Sequence, residues 1–500
     1  MYPSYPQQAS NLNSVVIKFS EIRFLAIMIV VSGVLYYCLY ESTALPLVLL
    51  TFPLVLYDRS FMFPMFLTIT LCQGAFNTAQ VSGAGPTQDA SYAETYAIMA
   101  VTPMLLYDLL TQKSKMIPFR FVLYYMIFVL FVIQGAFIYY QHPENYQGLA
   151  VVAAKFTPII HSITKAIKIC FYVFYLKVLI NYPVSQNVKT LEITRRFMPF
   201  VIIVIAANLL INGRVQNGAG YSGTLQLGDA HHGSFTSQLC SIGIYLYITI
   251  FSRKVNLMTR IFALSALVGI GTTIMLMGSR NGLMSFFILF CLGLYINLKG
   301  KRIDFQLIIL IGAFFAGVIT ILVSLDSPTV QRAIYMTEVE SGGDRVYYWE
   351  AGGKAIEKFP IFGLGGDESA SQGAVARYAP ALVEDKVMHN TYLEMAVEYG
   401  LFALIFYLAL VFFVLKWGYR LFKFALEKQT VLLAAPAVSY LILMIAAIFI
   451  SDIWDTAIWY NMSLVFALSI QLLYYRYISK PKVDTFSSLQ QQLAQDHATR

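Results

Sequence analysis

Apolar runs of about 20 residues, the length a helix needs to cross the hydrocarbon core of a bilayer, recur along this chain from residue 22 to residue 475. One such run can be buried in a water-soluble core. A long series of them cannot. Composition agrees: 58% of the 500 residues are hydrophobic and 12% are charged, against roughly 25% charged in an ordinary soluble domain. The mean hydropathy is +0.64. A transmembrane barrel would show short alternating segments instead of continuous apolar runs. The expected class is therefore an all-α polytopic integral membrane protein, with roughly 12–14 transmembrane helices.

Spans are placed at 22–40, 43–57, 61–76, 92–110, 119–140, 158–180, 196–211, 234–252, 260–278, 282–298, 305–325, 391–415, 431–450 and 457–475. The first run follows a polar leader, residues 1–21, and lacks a small-residue cleavage site, so it reads as a permanent helix and not as a signal peptide. The net charge of +8 does not point to nucleic acid, because the basic residues are parcelled into short loops. One set of loops is basic: 57–60, 111–120, 187–196, 252–260, 298–304 and 416–423. The loops 77–91 and 451–456 hold no Lys or Arg. The positive-inside rule puts the basic set and both termini in the cytoplasm, and an even span count agrees. For a bacterial inner membrane the opposite face is the periplasm.

The cysteines Cys38, Cys72, Cys170, Cys240 and Cys291 all lie in apolar segments with no Cys-x-x-Cys spacing, so neither a disulfide framework nor a zinc site is implied. The "GDAHHG" stretch holds Asp229, His231 and His232, but no further ligand motif accompanies it and the default reading is a solvated loop. The Gln-rich tail 479–500 reads as a polar cytoplasmic segment. The chain thus divides into the leader 1–21, transmembrane helices over 22–269, a region 270–415 that includes a large outer loop at 326–390, helices over 416–478, and the tail.

Cations on the outer face are the informative exceptions to the charge bias. Arg280 sits in the tight turn "GSRNG" between two spans, and Arg214 in the outer loop after span 196–211. Lys165 and Lys168, one helical turn apart on one face of span 158–180, either snorkel to outer water or line a cavity for an anion. In the outer loop, 342–360 reads as a helix ended by Pro360. It carries Arg345 and the aromatic run Tyr347, Tyr348 and Trp349, suited either to the membrane interface or to stacking on sugar faces. "IFGLGG" then reads as a flexible turn. "HNTYLE" opens the next span: Thr391 and Glu394 match a capping box, with Thr391 as N-cap. His389 just precedes that helix start, where the dipole disfavours imidazolium and favours a nearby anion. A neutral imidazole there can act as a general base.

In order along the chain, "GSRNG" (278–282), "DRVYYWEAGGKAIEKFPIFGLG" (344–365) and "HNTYLEMAVEYG" (389–400) resemble the shared region of the O-antigen ligase/polymerase superfamily, often called the Wzy-C domain. The match covers about residues 270–415; elsewhere only hydropathy and span number are similar. The resemblance implies a GT-C-like membrane glycosyltransferase with a large, partly helical periplasmic loop. Its donor would be a glycan on undecaprenyl pyrophosphate, and no metal or other cofactor would be needed. It carries over Arg345 and His389 as catalytic positions and Arg280 as a pyrophosphate ligand. Arg214, with Lys165 and Lys168, joins the pyrophosphate-binding set by location alone, and Trp349 and Tyr348 become glycan contacts. The expected partners are the lipid-linked glycan and the bilayer, with a chain-length regulator and a repeat-unit flippase as candidates. The reaction read from this is polymerisation of O-antigen, capsule or exopolysaccharide repeat units. Transfer of a finished chain to lipid A-core by a ligase is the alternative. A polysaccharide exporter or flippase without catalysis is the third reading.

Overall fold

The computed structural model describes residues 21–41, 43–73, 93–112, 114–141, 157–216, 224–227, 232–252, 255–299, 343–365, 368–379, 388–428, 430–450 and 456–474. The span expected at 305–325, residues 1–20 of the leader and the tail lie outside the described residues. What is described is a helical membrane protein with one short antiparallel hairpin, Arg214–Gln216 against Thr224–Gln226. Among the described residues, five helices are long and apolar enough to cross a bilayer: Ile22–Glu41, Val184–Asn212, Leu257–Leu276, Arg280–Lys299 and Thr391–Glu427. Shorter apolar helices accompany them, Leu45–Tyr57 among them, and the span expected at 92–110 is helical as Ala93–Thr111.

Burial sorts these helices into an inner and an outer set. Met62–Cys72 is buried at every position, and so are residues 235–250 of His232–Ile250 and 457–469 of Thr456–Ser469. A helix apolar on all sides belongs in the interior. The outer helices turn Ile29, Leu49, Leu130, Phe287 and Phe412 outward, large apolar side chains suited to lipid. His232–Ile250 packs against Leu257–Leu276, Arg280–Lys299 and Ala435–Ala446. The long helix Thr391–Glu427 packs against Phe119–Gln141 and Thr456–Ser469.

Polar side chains inside the bundle tie helices together. Glu94 is fully buried, and its Oε2 lies 2.8 Å from Lys168 Nζ. Its Oε1 accepts from the Tyr172 hydroxyl at 3.1 Å and the Tyr460 hydroxyl at 3.0 Å. Lys168, expected to bind pyrophosphate or to snorkel, pairs in the structure with a carboxylate within the bundle. The physical reason is the cost of burying Glu94 without a counter-charge. At the end of the bundle that the charge pattern assigns to the cytoplasm, Arg59 Nε donates to Asp108 Oδ2 at 2.8 Å, and the Tyr182 hydroxyl donates to the same oxygen at 2.6 Å. Gln471 Nε2 donates to the carbonyls of Leu179, Ile180 and Tyr182, joining Thr157–Asn181 to the last described helix. Lys115 Nζ donates to the Tyr182 carbonyl at 3.1 Å, and burial pulls the Lys115 ammonium below its ordinary pKa.

The span expected at 391–415 departs from a plain helix. Thr391–Glu427 is 37 residues long, and at Gly400 the backbone leaves the helix at φ 87°, ψ 170°. At 1.5 Å per residue the whole element would measure about 55 Å, against about 30 Å of hydrocarbon. The break divides it into a half-helix, 391–399, and a spanning part, 401–427. The segment expected as a flexible turn fills the break. Leu401 N donates to the Pro360 carbonyl at 2.8 Å, Leu364 N to the Val397 carbonyl at 2.8 Å, and Gly365 N to the Glu398 carbonyl at 3.0 Å. The backbones are so close that a Cβ on Gly400 would stand 2.0 Å from Ile361 O, and one on Gly363 2.6 Å from Glu398 O.

Two predictions follow from these contacts. Gly400→Ala lowers stability by at least about 2 kcal/mol, read as the apparent melting temperature of purified protein in nanodiscs. Gly33→Ala, at an exposed helical position where a Cβ meets nothing within 4 Å, leaves it unchanged or raised. Lys168→Met leaves Glu94 buried without its counter-charge and costs about 3–5 kcal/mol. The double variant Glu94→Gln/Lys168→Met recovers most of that loss, since the amide oxygen still accepts from Tyr172 and Tyr460. A double variant no more stable than Lys168→Met would rule the ion pair out as the cause.

Candidate active site

The half-helix 391–399 is the meeting point of three elements. The helices Gly343–Lys358 and Glu368–Tyr378 pack on each other and on it. Tyr348, Ala355, Leu364, Ala370, Ala374, Val375, Met388 and Val397 form a small apolar core there, separate from the membrane core. Along Gly343–Lys358 the buried positions Tyr348, Ala351, Gly352 and Ala355 recur at helical spacing, while Glu350 and Lys354 pair at 2.8 Å on the exposed side. Ser371 Oγ donates to Glu398 Oε1 at 3.1 Å, linking the second loop helix to a carboxylate that is 2% exposed.

His389 stands at the front of the half-helix with φ 50°, the one non-glycine residue in the left-handed region among those described. That conformation costs about 1–2 kcal/mol for an L-residue, so its neighbours must hold it. Met388 before it is fully buried. Asn390 after it is extended, and its side-chain oxygen accepts from Tyr392 N at 3.1 Å and Leu393 N at 3.0 Å. The N-cap is therefore Asn390, not Thr391. Thr391 docks the half-helix onto the end of Ala435–Ala446 and the residues after it, its N–H donating to the Ala447 carbonyl at 3.0 Å and its hydroxyl to the Ile450 carbonyl at 2.7 Å. The Tyr392 hydroxyl donates to the Met444 carbonyl at 2.8 Å. The Thr-x-x-Glu spacing suggested a capping box one residue too late. Asn390, an equally good cap directly before it, was the available signal.

These bonds also use the first N–H groups of the half-helix. Those of Thr391, Tyr392, Leu393 and Glu394 all have protein acceptors. An anion beside His389 would thus be gripped by side chains rather than by the helix start.

The aromatic run of Gly343–Lys358 is divided differently from expectation. Tyr347 is the exposed member. Tyr348, expected to contact glycan, is buried, and its ring lies edge-on to the His389 ring at 6.3 Å between centroids. Trp349, half-buried, donates from Nε1 to the Met388 carbonyl at 3.0 Å. Arg345 precedes these two by three and four residues, so it shares their face, and it is half-buried. The structure thus gathers His389, Tyr348, Trp349 and the turn bearing Arg345.

Arg280 is the first residue of Arg280–Lys299, after a turn in which Gly278 has φ 63°. Ser279 Oγ accepts from Gly282 N at 3.0 Å and lies 2.7 Å from Thr236 Oγ1, which fixes the helix start. Arg280 and His389 are linked through one element, since both Arg280–Lys299 and the half-helix pack against Ala435–Ala446. Arg214 opens the hairpin, its backbone in register with Gln226. Lys165 is half-buried one turn before Lys168. Neither is brought to His389 by a described contact. Asp229 and His231 lie outside the described residues.

Residues 263–408 match the family model Wzy_C, described as O-antigen ligase. The matched stretch encloses Arg280, both loop helices, His389 and the break at Gly400; Lys165, Lys168 and Arg214 fall before it. No protein of curated function matches the chain.

The cap assignment is testable by stability. Asn390→Ala lowers it by about 1 kcal/mol, whereas Asn390→Asp, which keeps an acceptor, retains it. Equal tolerance of Ala and Asp in nanodisc melting curves would contradict the cap.

Proposed function

We propose that this chain, which carries the region shared by the O-antigen ligase/polymerase superfamily, is a bacterial inner-membrane glycosyltransferase acting at the periplasmic face. It takes a glycan from undecaprenyl pyrophosphate and joins it to a sugar hydroxyl, polymerising O-antigen, capsule or exopolysaccharide repeat units. The observation that carries this reading is the left-handed His389, held against the helix that bears Arg345 within the matched region.

In the reaction the acceptor oxygen attacks the anomeric carbon of the donor. His389 takes the hydroxyl proton as the carbon–oxygen bond forms. The bond from the anomeric carbon to the phosphate oxygen breaks, and the electron pair leaves with the lipid pyrophosphate. Negative charge grows on that leaving group, and Arg345 and Arg280 stabilise it through fork-shaped guanidinium donors. Arg214 and Lys165 remain candidate outer contacts of the pyrophosphate. Lys168 is less suited, because Glu94 already neutralises it.

Purified protein given lipid-linked repeat units is expected to make longer lipid-linked chains with no lipid A-core added. Product only in the presence of lipid A-core would replace polymerase by ligase. His389→Ala lowers turnover by about 10²–10⁴-fold, and Arg345→Ala by about 10²–10³-fold. His389→Gly separates catalysis from folding: glycine accepts φ 50° freely, so stability is kept or raised while turnover is lost. Full activity in both His389 variants would sink the site assignment.

A further inference from the structure

The geometry points to Trp349 as a positioning residue for His389, acting through a main-chain carbonyl rather than touching glycan. This rests on the reading of His389 as the base. The oxygen that accepts from the indole belongs to the peptide group joining Met388 to His389. Holding that peptide plane fixes the direction from which His389 leaves it, and so supports the left-handed φ of 50°. On the other side the Asn390 side chain is held by two N–H groups of the half-helix. His389 is therefore fixed on both sides, with the Tyr348 ring against its own.

The seat beneath the turn is equally close. A Cβ on Gly352 would stand 2.7 Å from Met388 Sδ and 2.9 Å from Leu393 Cδ2, so Gly343–Lys358 lies against the 388–393 turn with no space between. Positions 345, 348, 349 and 352 lie along one face of that helix. The indole bond thus ties the base to the element that carries the arginine for the leaving group. Release of that bond would let the His389 backbone move toward an ordinary φ and shift the imidazole relative to Arg345.

The test compares Trp349→Phe, which keeps an aromatic face and loses the N–H, with Trp349→His, which keeps a ring N–H on a smaller ring. Both are assayed with the purified full chain and lipid-linked repeat units. Trp349→Phe is expected to lower kcat about tenfold or more with KM for the donor unchanged, since small misplacements of a reacting group are costly. Trp349→His is expected to retain more kcat than Trp349→Phe. In protein labelled with 13C,15N-histidine, the signal absent from His389→Ala is expected to shift or broaden in Trp349→Phe. Adding Trp349→Phe to His389→Ala should slow the residual rate no further. Wild-type kcat in Trp349→Phe, an unmoved His389 signal, or a raised KM with Phe better than His would overturn the inference; the last pattern belongs to stacking on sugar. A fully active His389→Ala would instead defeat the underlying assignment of the base. An inactive His389→Ala beside a wild-type Trp349→Phe would remove only the positioning role.

Discussion

A backbone that leaves the helix within a membrane bundle must find partners for its freed N–H and C=O groups, because no water is at hand to take them. The break at Gly400 meets this demand with a single neighbour, the stretch from Pro360 to Gly365. Much of the outer architecture depends on that exchange. It ends the half-helix at Tyr399, sets the start of the spanning part, and holds the end of Gly343–Lys358 alongside. The front of the half-helix is capped by Asn390 and secured separately, by Thr391 and Tyr392, onto the region around Met444 to Ile450. Between these two attachments His389 keeps a conformation that a free chain would leave.

The charges of the bundle are arranged with the same economy. Glu94 and Lys168, costly one by one, sit together with two tyrosine hydroxyls. Arg59, Asp108 and Tyr182 join helix ends. Both sets hold helices together inside the bundle, whereas Arg280 and Arg345 lie within the stretch that the family model matches.

Fold class and the stretch that the family model matches were legible because both depend on strong, local signals. Lipid demands long apolar runs, and the run from Arg280 through Arg345 to His389 is punctuated by unusual turn residues. What was not legible depends on neighbours distant in sequence. Gly400 looks like any glycine early in an apolar helix until the Pro360 stretch is seen against it. Lys168 resembles a lysine facing water until Glu94, far earlier in the chain, is placed beside it. Tyr347, Tyr348 and Trp349 are nearly equivalent as a string. Only the packed face shows that one is exposed, one is core and one holds a carbonyl. The choice of Thr391 over Asn390 had a different cause: two valid capping patterns overlapped by one residue, and the longer match was the wrong one.

The pairing of 360–365 with 397–401 also governs where this protein can change length. Within 389–400 each added residue would turn the remainder of the half-helix by about 100° and carry the carbonyls of Val397 and Glu398 away from their donors. The twelve residues from His389 to Gly400 thus behave as a fixed ruler.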